Sequence, residues 1–368
     1  MSGNIIGERF VTVTFGESHG SCVGAVIDGC PAGLQISEAE IQHDLDLRKP
    51  GQSIVTTQRK EEDRVEILSG VWRGFTTGAP IMMYIRNMDK DSRSYDLIMN
   101  TPRPGHADLV SRIKYGGFND YRGGGRFSGR ITASFVMAGA VAKKLLKYTL
   151  GIEIIAYSLE IGGIRAENFT LDEARNNRYN NETRAPLPSV AEEMKKKIIE
   201  TRGKGDSLGG IVECHAINVP IGLGEPVFDS LDSDLAKIAL AIPAAKGVEF
   251  GSGFEAARLR GTQNNDQYIL DGENITTKTN NSGGILGGLS NGRPIVYRIV
   301  FKPASSIASK QSTVDLEKKK QVDIIVPGRH DPTVVPRAVP VVESTTALVL
   351  ADHAIRAGFI PPVLKVKV

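Results

Sequence analysis

Three histidines lie in short loops bounded by glycine or proline and by charged residues. The loops read Gly16-Glu17-Ser18-His19-Gly20, Arg103-Pro104-Gly105-His106-Ala107-Asp108 and Gly328-Arg329-His330-Asp331-Pro332. Histidine suits proton transfer near neutral pH, and short glycine-rich loops hold such groups at fixed angles on a scaffold. The sequence therefore predicts one composite active site, with His19 and His106 transferring protons and Asp331 as a base or an orienting carboxylate.

The strongest signal for anion binding is Arg122-Gly123-Gly124-Gly125-Arg126-Phe127-Ser128-Gly129-Arg130, directly before a predicted helix. A helix N-terminus offers unpaired N–H groups and the positive end of a dipole, and arginine binds phosphate or carboxylate through its planar fork. The basic loop 47–64 and Lys302-Pro303-Ala304-Ser305-Ser306 are weaker signals of the same kind. The alternative is a surface basic loop that only caps the helix.

Other kinds of site fit the sequence less well. No histidine or cysteine spacing is typical of a metal site. A hydrolase built from Ser18, His106 and Asp331 is an alternative, but a nucleophile elbow is missing and an arginine-rich pocket suits anionic substrates better. Three histidines fall within predicted helices or strands and are assigned structural roles: His43, His215 and His353. The residues alone predict an enzyme that acts on a small, multiply anionic phosphorylated substrate.

The composition is that of an ordinary globular protein. The chain has 368 residues, 40% hydrophobic and 24% charged, which is ample for a large core. The net charge is only +3, so no global field indicates nucleic acid, and a basic site must be a local concentration. Three cysteines without a Cys-x-x-Cys pair, no secretory signal and no long apolar stretch favour a reduced, cytoplasmic setting without a membrane partner.

Hydrophobic periodicity predicts the elements that position these loops. Strands at 9–15 and 22–28 flank the first histidine loop, and the clearest helix, 131–148, follows the basic segment. Further strands are predicted at 64–69, 80–86, 152–161, 211–219, 295–301 and 322–326. A capping box at 37–40 predicts a short helix that begins there. Further helices are predicted at 189–201, which begins with a capping box at 189–192, at 233–240, and at 343–357, which Gly358 closes. No linker divides the chain, so one domain over residues 1–368 is predicted.

Together these stretches resemble the chorismate synthase family. The first histidine loop, continued by Asp28-Gly29-Cys30-Pro31-Ala32-Gly33, resembles the family's first signature, and residues 103–108 resemble its second histidine loop. Residues 125–130 resemble its arginine–serine segment and residues 328–332 its C-terminal block. Residues 283–288 and 302–306 are also similar to family segments. The resemblance covers residues 3–352, nearly the whole chain.

The resemblance implies an α+β fold, a single large β–α–β sandwich with antiparallel sheets flanking helices, assembled as a homotetramer. It implies conversion of 5-enolpyruvylshikimate 3-phosphate to chorismate and phosphate. This anti 1,4-elimination needs reduced FMN (FMNH2) without net redox change, and is the last step of the shikimate pathway toward aromatic amino acids. Whether the protein reduces its own flavin with NADPH or receives reduced flavin stays open.

The resemblance also implies roles for individual residues. His106 would protonate the reduced flavin, His19 would act as the acid toward the departing phosphate, and Asp331 would help the flavin N5 take the substrate's ring proton. Four arginines would hold the anionic groups of the substrate: Arg48, Arg103, Arg130 and Arg329. The flavin would be lined by Arg126, Phe127, Ser128, Ala244, Gly287, Lys302, Pro303, Ala304, Ser305, Ser306 and Arg329.

The chain departs from the commonest family residues at a few of these positions. It has Ile54 where many members have arginine, Phe127 where many have serine, and Pro243 where many have asparagine. Arg59 is the alternative source of the anion contact at the first position. The second functional hypothesis is a flavin- or nucleotide-binding protein without elimination activity, and the presence of both loop histidines argues against it.

Overall fold

The structure is a computed structural model that describes residues 3–51, 53, 55–56, 61–88, 95–326, 328 and 330–365. The strands are β1 (Ile5–Ile6), β2 (Val11–Gly16), β3 (Cys22–Asp28), β4 (Val65–Ile67), β5 (Val71–Trp72), β6 (Phe75–Thr76), β7 (Ile81–Arg86), β8 (Glu153–Ile161), β9 (Ile164–Arg165), β10 (Gly210–Ile217), β11 (Ala245–Phe250), β12 (Tyr268–Asp271), β13 (Asn274–Thr277), β14 (Ile285–Leu286), β15 (Leu289–Ser290), β16 (Ile295–Phe301), β17 (Gln311–Asp315) and β18 (Lys320–Ile324).

The helices connect and cover these strands. They are α1 (Glu38–Arg48), α2 (Asp96–Asn100), α3 (Asp108–Lys114), α4 (Thr132–Leu150), α5 (Leu171–Asn177), α6 (Pro188–Gly203), α7 (Leu231–Ala241), α8 (Gly261–Asn264) and α9 (Val335–Arg356). Short 3-10 segments cover Arg122–Phe127, Gly129–Ile131 and Gly253–Arg258. The basic segment of the sequence is thus a tight loop that ends where α4 begins.

Two five-stranded sheets form the outer layers of the fold. The first has the order β1-β2-β3-β7-β4 and the second β11-β16-β10-β8-β9. Every neighbouring pair in both sheets is antiparallel. In the first sheet β2 and β3 are joined directly by the loop that carries His19, so this loop lies at one end of the sheet.

Helices α4 and α9 pack against each other between the two sheets, α4 against the first sheet and α9 against the second. Their backbones approach closely at Gly139, where an added Cβ would lie 2.3 Å from the Cβ of Ser344. A helix that is buried on all sides forms the core of a large domain. The α+β class and the β–α–β sandwich that the resemblance implied are therefore confirmed.

Helix α9 is also long and apolar enough to cross a membrane by length and composition. In the fold, however, 94% of its apolar window is buried. It packs on α4, α7 and the second sheet, so it is the central core helix.

Most predicted elements are present, with two corrections near helix starts. The predicted capping box at 189–192 is wrong, because α6 begins at Pro188 and its N-cap, Leu187, makes no side-chain cap hydrogen bond. Proline suits the first helical position because it has no N–H group there that would need a hydrogen-bond acceptor. Helix α9 begins at Val335, whereas the prediction started it at 343. The prediction was too late because Pro340, a residue that usually breaks helices, lies inside the helix. Its end is as predicted, with Gly358 at φ +76° and the bond from the Phe359 N–H to the Ala354 carbonyl.

Candidate active site

A cleft of about 680 Å³ opens between the second and third predicted histidine loops and the glycine–arginine segment before α4. Of the predicted site residues, its lining includes Arg48, Arg103, His106, Arg126, Phe127, Ser128, Ala244, Lys302, Ala304, Ser305, Ser306 and Asp331. Its volume lies within the range of small-molecule sites. Residues separated by almost 300 positions in the chain, such as Arg48 and Asp331, therefore line one cleft.

The other predicted residues that the structure describes do not line the cleft. His19 and Arg130 lie behind the lining, as described below. Gly287 is in the turn between β14 and β15 and is absent from the lining, as is Pro303. Arg329, like Ile54 and Arg59, lies outside the described residues.

Basic side chains dominate the cleft. Within the described part of the chain the lining has one carboxylate, Asp331, against the basic residues Arg48, Arg103, Arg126, Lys246, Lys302 and Arg337. Burial and the neighbouring Lys246 lower the pKa of Lys302. Because the whole chain has a net charge of only +3, this local concentration favours a multiply anionic ligand.

A run of glycines brings the two proposed catalytic histidines together. An added Cβ on Gly123 would lie 2.2 Å from Cδ2 of His19, and one on Gly124 would lie 3.2 Å from Cε1 of His106. Both glycines have positive φ, +61° and +83°, which glycine adopts without steric cost. Consecutive Cα atoms are about 3.8 Å apart, so both imidazoles pack on neighbouring residues of one segment. The ring of His19 also makes an edge contact with Tyr95, which lines the cleft.

His106 belongs to a cluster at the start of α3. Its Nδ1 lies 2.5 Å from Oδ1 of Asp108, and Arg103 donates to both carboxylate oxygens of Asp108, each at 2.8 Å. Burial on its own would raise the pKa of the Asp108 carboxyl, but the hydrogen bonds from Arg103 and His106 hold it well below its usual range. A carboxylate so close to Nδ1 favours the proton there, which leaves Nε2, 3.3 Å from Nη2 of Arg103, as the acceptor nitrogen of the neutral ring.

A second contact joins the segment after β16 to the same histidine loop. Lys302 donates to Oγ of Ser305 at 2.6 Å, and Ser305 donates to the carbonyl of Gly105 at 2.7 Å. Arg103 donates to Oγ of Ser306 at 2.9 Å. The predicted phosphate-binding segment thus supports the loop that carries His106.

Two of the predicted substrate arginines are buried against Asp63. Arg48 lies at the floor of the cleft and donates to Oγ1 of Thr132 at 3.1 Å and to the carbonyl of Gly129 at 2.6 Å. Its ion pair with Asp63 measures 3.4 Å. Arg130 pairs with the other oxygen of the same carboxylate. Burial, with the like charge of Arg337, lowers the pKa of the Arg48 guanidinium, and Asp63 opposes that shift.

Arg337 is a cleft residue that the sequence prediction missed. It donates to Oδ2 of Asp331 at 2.6 Å and to the carbonyl of Arg48 at 3.3 Å. It therefore fixes the carboxylate proposed as a base. The signal that could have found it is its position in the first turn of α9, a few residues after the third histidine loop. The predicted start of that helix was too late, so this position was not recognised. Tyr95 and Lys246 were missed for want of any local motif.

The comparisons with known proteins agree on one family. The family model described as Chorismate synthase matches residues 10–355. The chain belongs to the chorismate synthase family. A chorismate synthase of Korarchaeum cryptofilum is 59% identical over 358 residues, 97% of this chain and 99% of its own length. One of Dehalococcoides mccartyi is 52% identical over 362 residues, 98% of this chain and 99% of its own length.

A solved structure agrees with this assignment. A crystal structure of a chorismate synthase matches with a TM-score of 0.75 at 34% identity, covering 96% of this chain and 93% of that one. The resemblance seen in the sequence motifs is thereby confirmed. The protein is an enzyme of this family, a lyase of the shikimate pathway.

Proposed function

We propose that the protein converts 5-enolpyruvylshikimate 3-phosphate to chorismate and phosphate by an anti 1,4-elimination that uses reduced FMN. The observation that carries this proposal is the basic cleft lined by His106 and Gly123, with His19 packed on Gly123 directly behind the lining. The substrate has one phosphate and two carboxylates, and FMN adds another phosphate. Such a set of anions matches a lining in which basic side chains far outnumber carboxylates.

The residues of the cleft fit FMN. The cleft is large enough for a flavin beside a small substrate, Phe127 offers an aromatic ring that is 39% exposed, and Lys302 and Ser306 are suitable phosphate donors. We propose that FMN is held by Arg126, Phe127, Ser128, Ala244, Lys302, Ala304, Ser305 and Ser306, which line the cleft, and by Arg329. Gly287 and Pro303 belong to the same predicted set but do not line the cleft. When bound, reduced FMN supplies an electron-rich ring to the elimination, without net redox change.

The side chains divide the proton transfers between them. His106, with Nδ1 fixed by Asp108, would hold and release a proton at Nε2 when the flavin is bound. His19 donates a proton toward the departing phosphate. Asp331, positioned by the hydrogen bond from Arg337, assists removal of the ring proton.

The proposed substrate arginines differ in how they can act. Arg48 and Arg103 line the cleft and can meet the substrate's anionic groups directly. Arg130 faces away, because its guanidinium donates to Asn87, Asp63 and the carbonyl of Arg86. We therefore propose that Arg130 acts on the substrate site through other residues, and that Arg329 completes the set.

One anaerobic assay tests the proposed reaction. Purified protein, 5-enolpyruvylshikimate 3-phosphate and chemically reduced FMN should yield chorismate and phosphate in equal amounts. A second arm with oxidised FMN and NADPH decides whether the protein reduces its own flavin. Well-folded protein that binds FMN but yields no chorismate would establish the alternative, a flavin-binding protein without elimination activity.

Gly123→Ala is expected to lower the turnover rate about 10²-fold, because the new methyl group would displace the His19 ring that now lies 2.2 Å away. The measurement is kcat in the anaerobic assay, with the fold checked by circular dichroism. Gly163→Ala is the matched control, since Gly163 has φ +85° but nothing within 4 Å of an added Cβ. Equal rates for the two variants would mean that the close approach to His19 does not matter.

FMN binding is expected to depend on the substrate and on salt. The proposed flavin contacts come from separate loops, and the cleft between them carries several cations, so binding of the anionic substrate should order the loops and favour flavin. Cations open to solvent are screened by salt. Titration of FMN at low and high ionic strength, with and without substrate, measures both effects. The same flavin affinity in the presence and absence of substrate would contradict the coupling.

We propose a homotetramer, supported by an exposed apolar ribbon. Strands β12 and β13 form a two-stranded sheet in which Leu270 lies opposite Ile275, and these side chains are 76% and 68% exposed. An isolated two-stranded hairpin is at best marginally stable in water. Leu270→Lys is expected to give smaller species in light scattering, whereas Ile199→Lys, on α6, should keep the native size. A native size for the Leu270 variant would exclude this ribbon from the interface.

We propose a single domain over residues 1–368 in the cytoplasm. One hydrophobic core runs from Phe10 to Ile360 and includes residues of both large sheets, which supports one folding unit. Cys22, Cys30 and Cys214 are free thiols, which is typical of a reducing compartment. Neither nucleic acid nor a membrane is a proposed partner.

A further inference from the structure

We infer that Asn87 is a positioning residue for His19, and that Arg130 and Asp63 fix its orientation. The inference rests on the proposed proton transfer by His19. Asn87 directly follows β7, which neighbours β3 in the first sheet, and it is 2% exposed. In the chain it lies 67 to 70 residues beyond the carbonyls of the His19 loop that it contacts. No sequence motif singled it out.

The Asn87 amide bridges both ends of the turn that carries His19. Its Nδ2 donates to the carbonyl of Glu17 at 2.9 Å and to the carbonyl of Gly20 at 3.0 Å. The Gly20 N–H also donates to the Glu17 carbonyl at 3.1 Å, which closes a four-residue turn with Ser18 and His19 at its centre. An asparagine amide has two N–H donors, so both are used on this turn.

Arg130 sets which way that amide faces. Its Nε donates to Oδ1 of Asn87 at 2.9 Å. Because arginine has donors only, the oxygen of the amide must face Arg130 and the nitrogen must face the turn. Arg130 is held in turn by its ion pair with Asp63, and both side chains are at most 4% exposed. A charged pair so completely enclosed by protein is a rigid support for the amide.

The opposite side of the turn is held as well. The Ser18 N–H donates to the carbonyl of Gly125 at 3.3 Å, and the hydroxyls of Ser18 and Ser128 are 3.1 Å apart. The His19 ring itself packs on Gly123. The turn is therefore held between the Asn87 amide and the glycine run, and loss of the amide should let the turn, and the His19 ring with it, shift.

This support of the turn is joined to the floor of the cleft through one carboxylate. Asp63 pairs with Arg130 through Oδ1 and with Arg48 through Oδ2. Arg48 lines the cleft and Arg130 does not. The Asn87 side chain bonds to the His19 turn and to Arg130, which does not line the cleft, rather than to Arg48 or Arg103, which do. Its loss should therefore lower kcat and change KM little.

Asn87→Asp is the sharpest test, because it keeps the shape of the side chain and the acceptor for Arg130. It replaces the two donors with an oxygen that faces two carbonyl oxygens. We expect kcat to fall about 10–10²-fold, with KM for the substrate within about twofold of the native value. The pH profile of kcat should also differ between Asn87→Asp and the native protein, because the surroundings of His19 change. In NMR spectra of 13C-labelled histidine, the His19 Cε1–H signal, identified by its absence in His19→Ala, should shift.

Asn281→Asp is the matched control, since that amide bridges the carbonyls of Gln263 and Asn264, outside the cleft lining. It should leave the His19 signal and kcat unchanged. An unshifted His19 signal with native kcat in Asn87→Asp, while His19→Ala is inactive, would overturn the inference. Full activity of His19→Ala would instead refute the proposed role of His19, and the NMR shift would still test whether Asn87 holds the turn. If Asn87→Asp does not fold, Asn87→Ser, with one remaining donor, should give a smaller shift in the same signal; an unshifted signal there would overturn the inference.

Discussion

His106→Ala and His19→Ala are each expected to fold and to lose roughly 10²–10⁴-fold in kcat, the range for removing a positioned general acid or base. The two variants should differ in spectrum. If His106 donates its proton toward the reduced flavin, His106→Ala should alter the absorbance of reduced flavin in the ternary complex. His19→Ala should leave that absorbance alone and slow phosphate release. Stopped-flow absorbance with a phosphate assay measures both.

His43→Ala is the control for these variants, because His43 lies on α1, is exposed and does not line the cleft. It should keep native kcat. Asp331→Asn is the cross-check, since it preserves the shape of the side chain and removes its charge. Near-normal turnover by that variant would remove Asp331 from the mechanism. Loss of activity that follows loss of binding or of melting temperature would mean that the histidines only shape their loops.

The loops of the site could be predicted because their signals are local. Glycines beside His19 and His106 indicate tight turns of the backbone. The strand patterns on either side of the first loop predict that this loop lies at one end of a sheet. The β2–β3 pair and helix α1, with its Ser37–Glu40 capping box, appear as predicted. Patterns that repeat every two or 3.6 residues need no knowledge of distant partners.

The direction in which each arginine faces could not be predicted in this way. Arg103, Arg126 and Arg130 look alike in the sequence, yet their partners lie far away in the chain. Arg103 reaches Ser306, Arg126 reaches the carbonyl of Gly16 and Arg130 reaches Asp63. Only the packing of the sheets against α4 decides which guanidinium faces the cleft and which supports it from behind.

The start of α9 was mispredicted because proline conceals a helix, and the β12–β13 ribbon was missed because short strands give weak patterns. The first turns of α9 contain Pro336 and Pro340, so the prediction left these turns out of the helix. Arg337, which lies between the two prolines, was therefore missed as well. The β12–β13 ribbon has four-residue strands whose side chains are mostly exposed. Its apolar residues read as a pattern only once the pairing of the strands is known.

Asp108→Asn is expected to lower kcat by roughly 10²–10⁴-fold, because His106 then loses the carboxylate that fixes its Nδ1 proton. It should also destabilise the fold by roughly 3–5 kcal/mol at neutral pH, since it leaves the guanidinium of Arg103, 5% exposed, without its counter-charge. The anaerobic assay measures the loss of kcat and denaturant unfolding measures the loss of stability, and the same variant should show both.

The pH dependence of that destabilisation gives a sharper test. The pKa of Asp108 is lowered in the folded protein, against burial, by Arg103 and His106. Unfolded aspartate titrates near pH 4, so the stabilisation by the carboxylate is fully present above about pH 4 and is lost as the pH falls toward the lower folded value. The difference in unfolding free energy between native protein and Asp108→Asn should shrink below about pH 4. Asp120→Asn, which breaks a more exposed pair with Arg122, should cost at most about 1 kcal/mol. A native-like melting temperature for Asp108→Asn at pH 7 would mean that this carboxylate neither holds Arg103 nor orients His106.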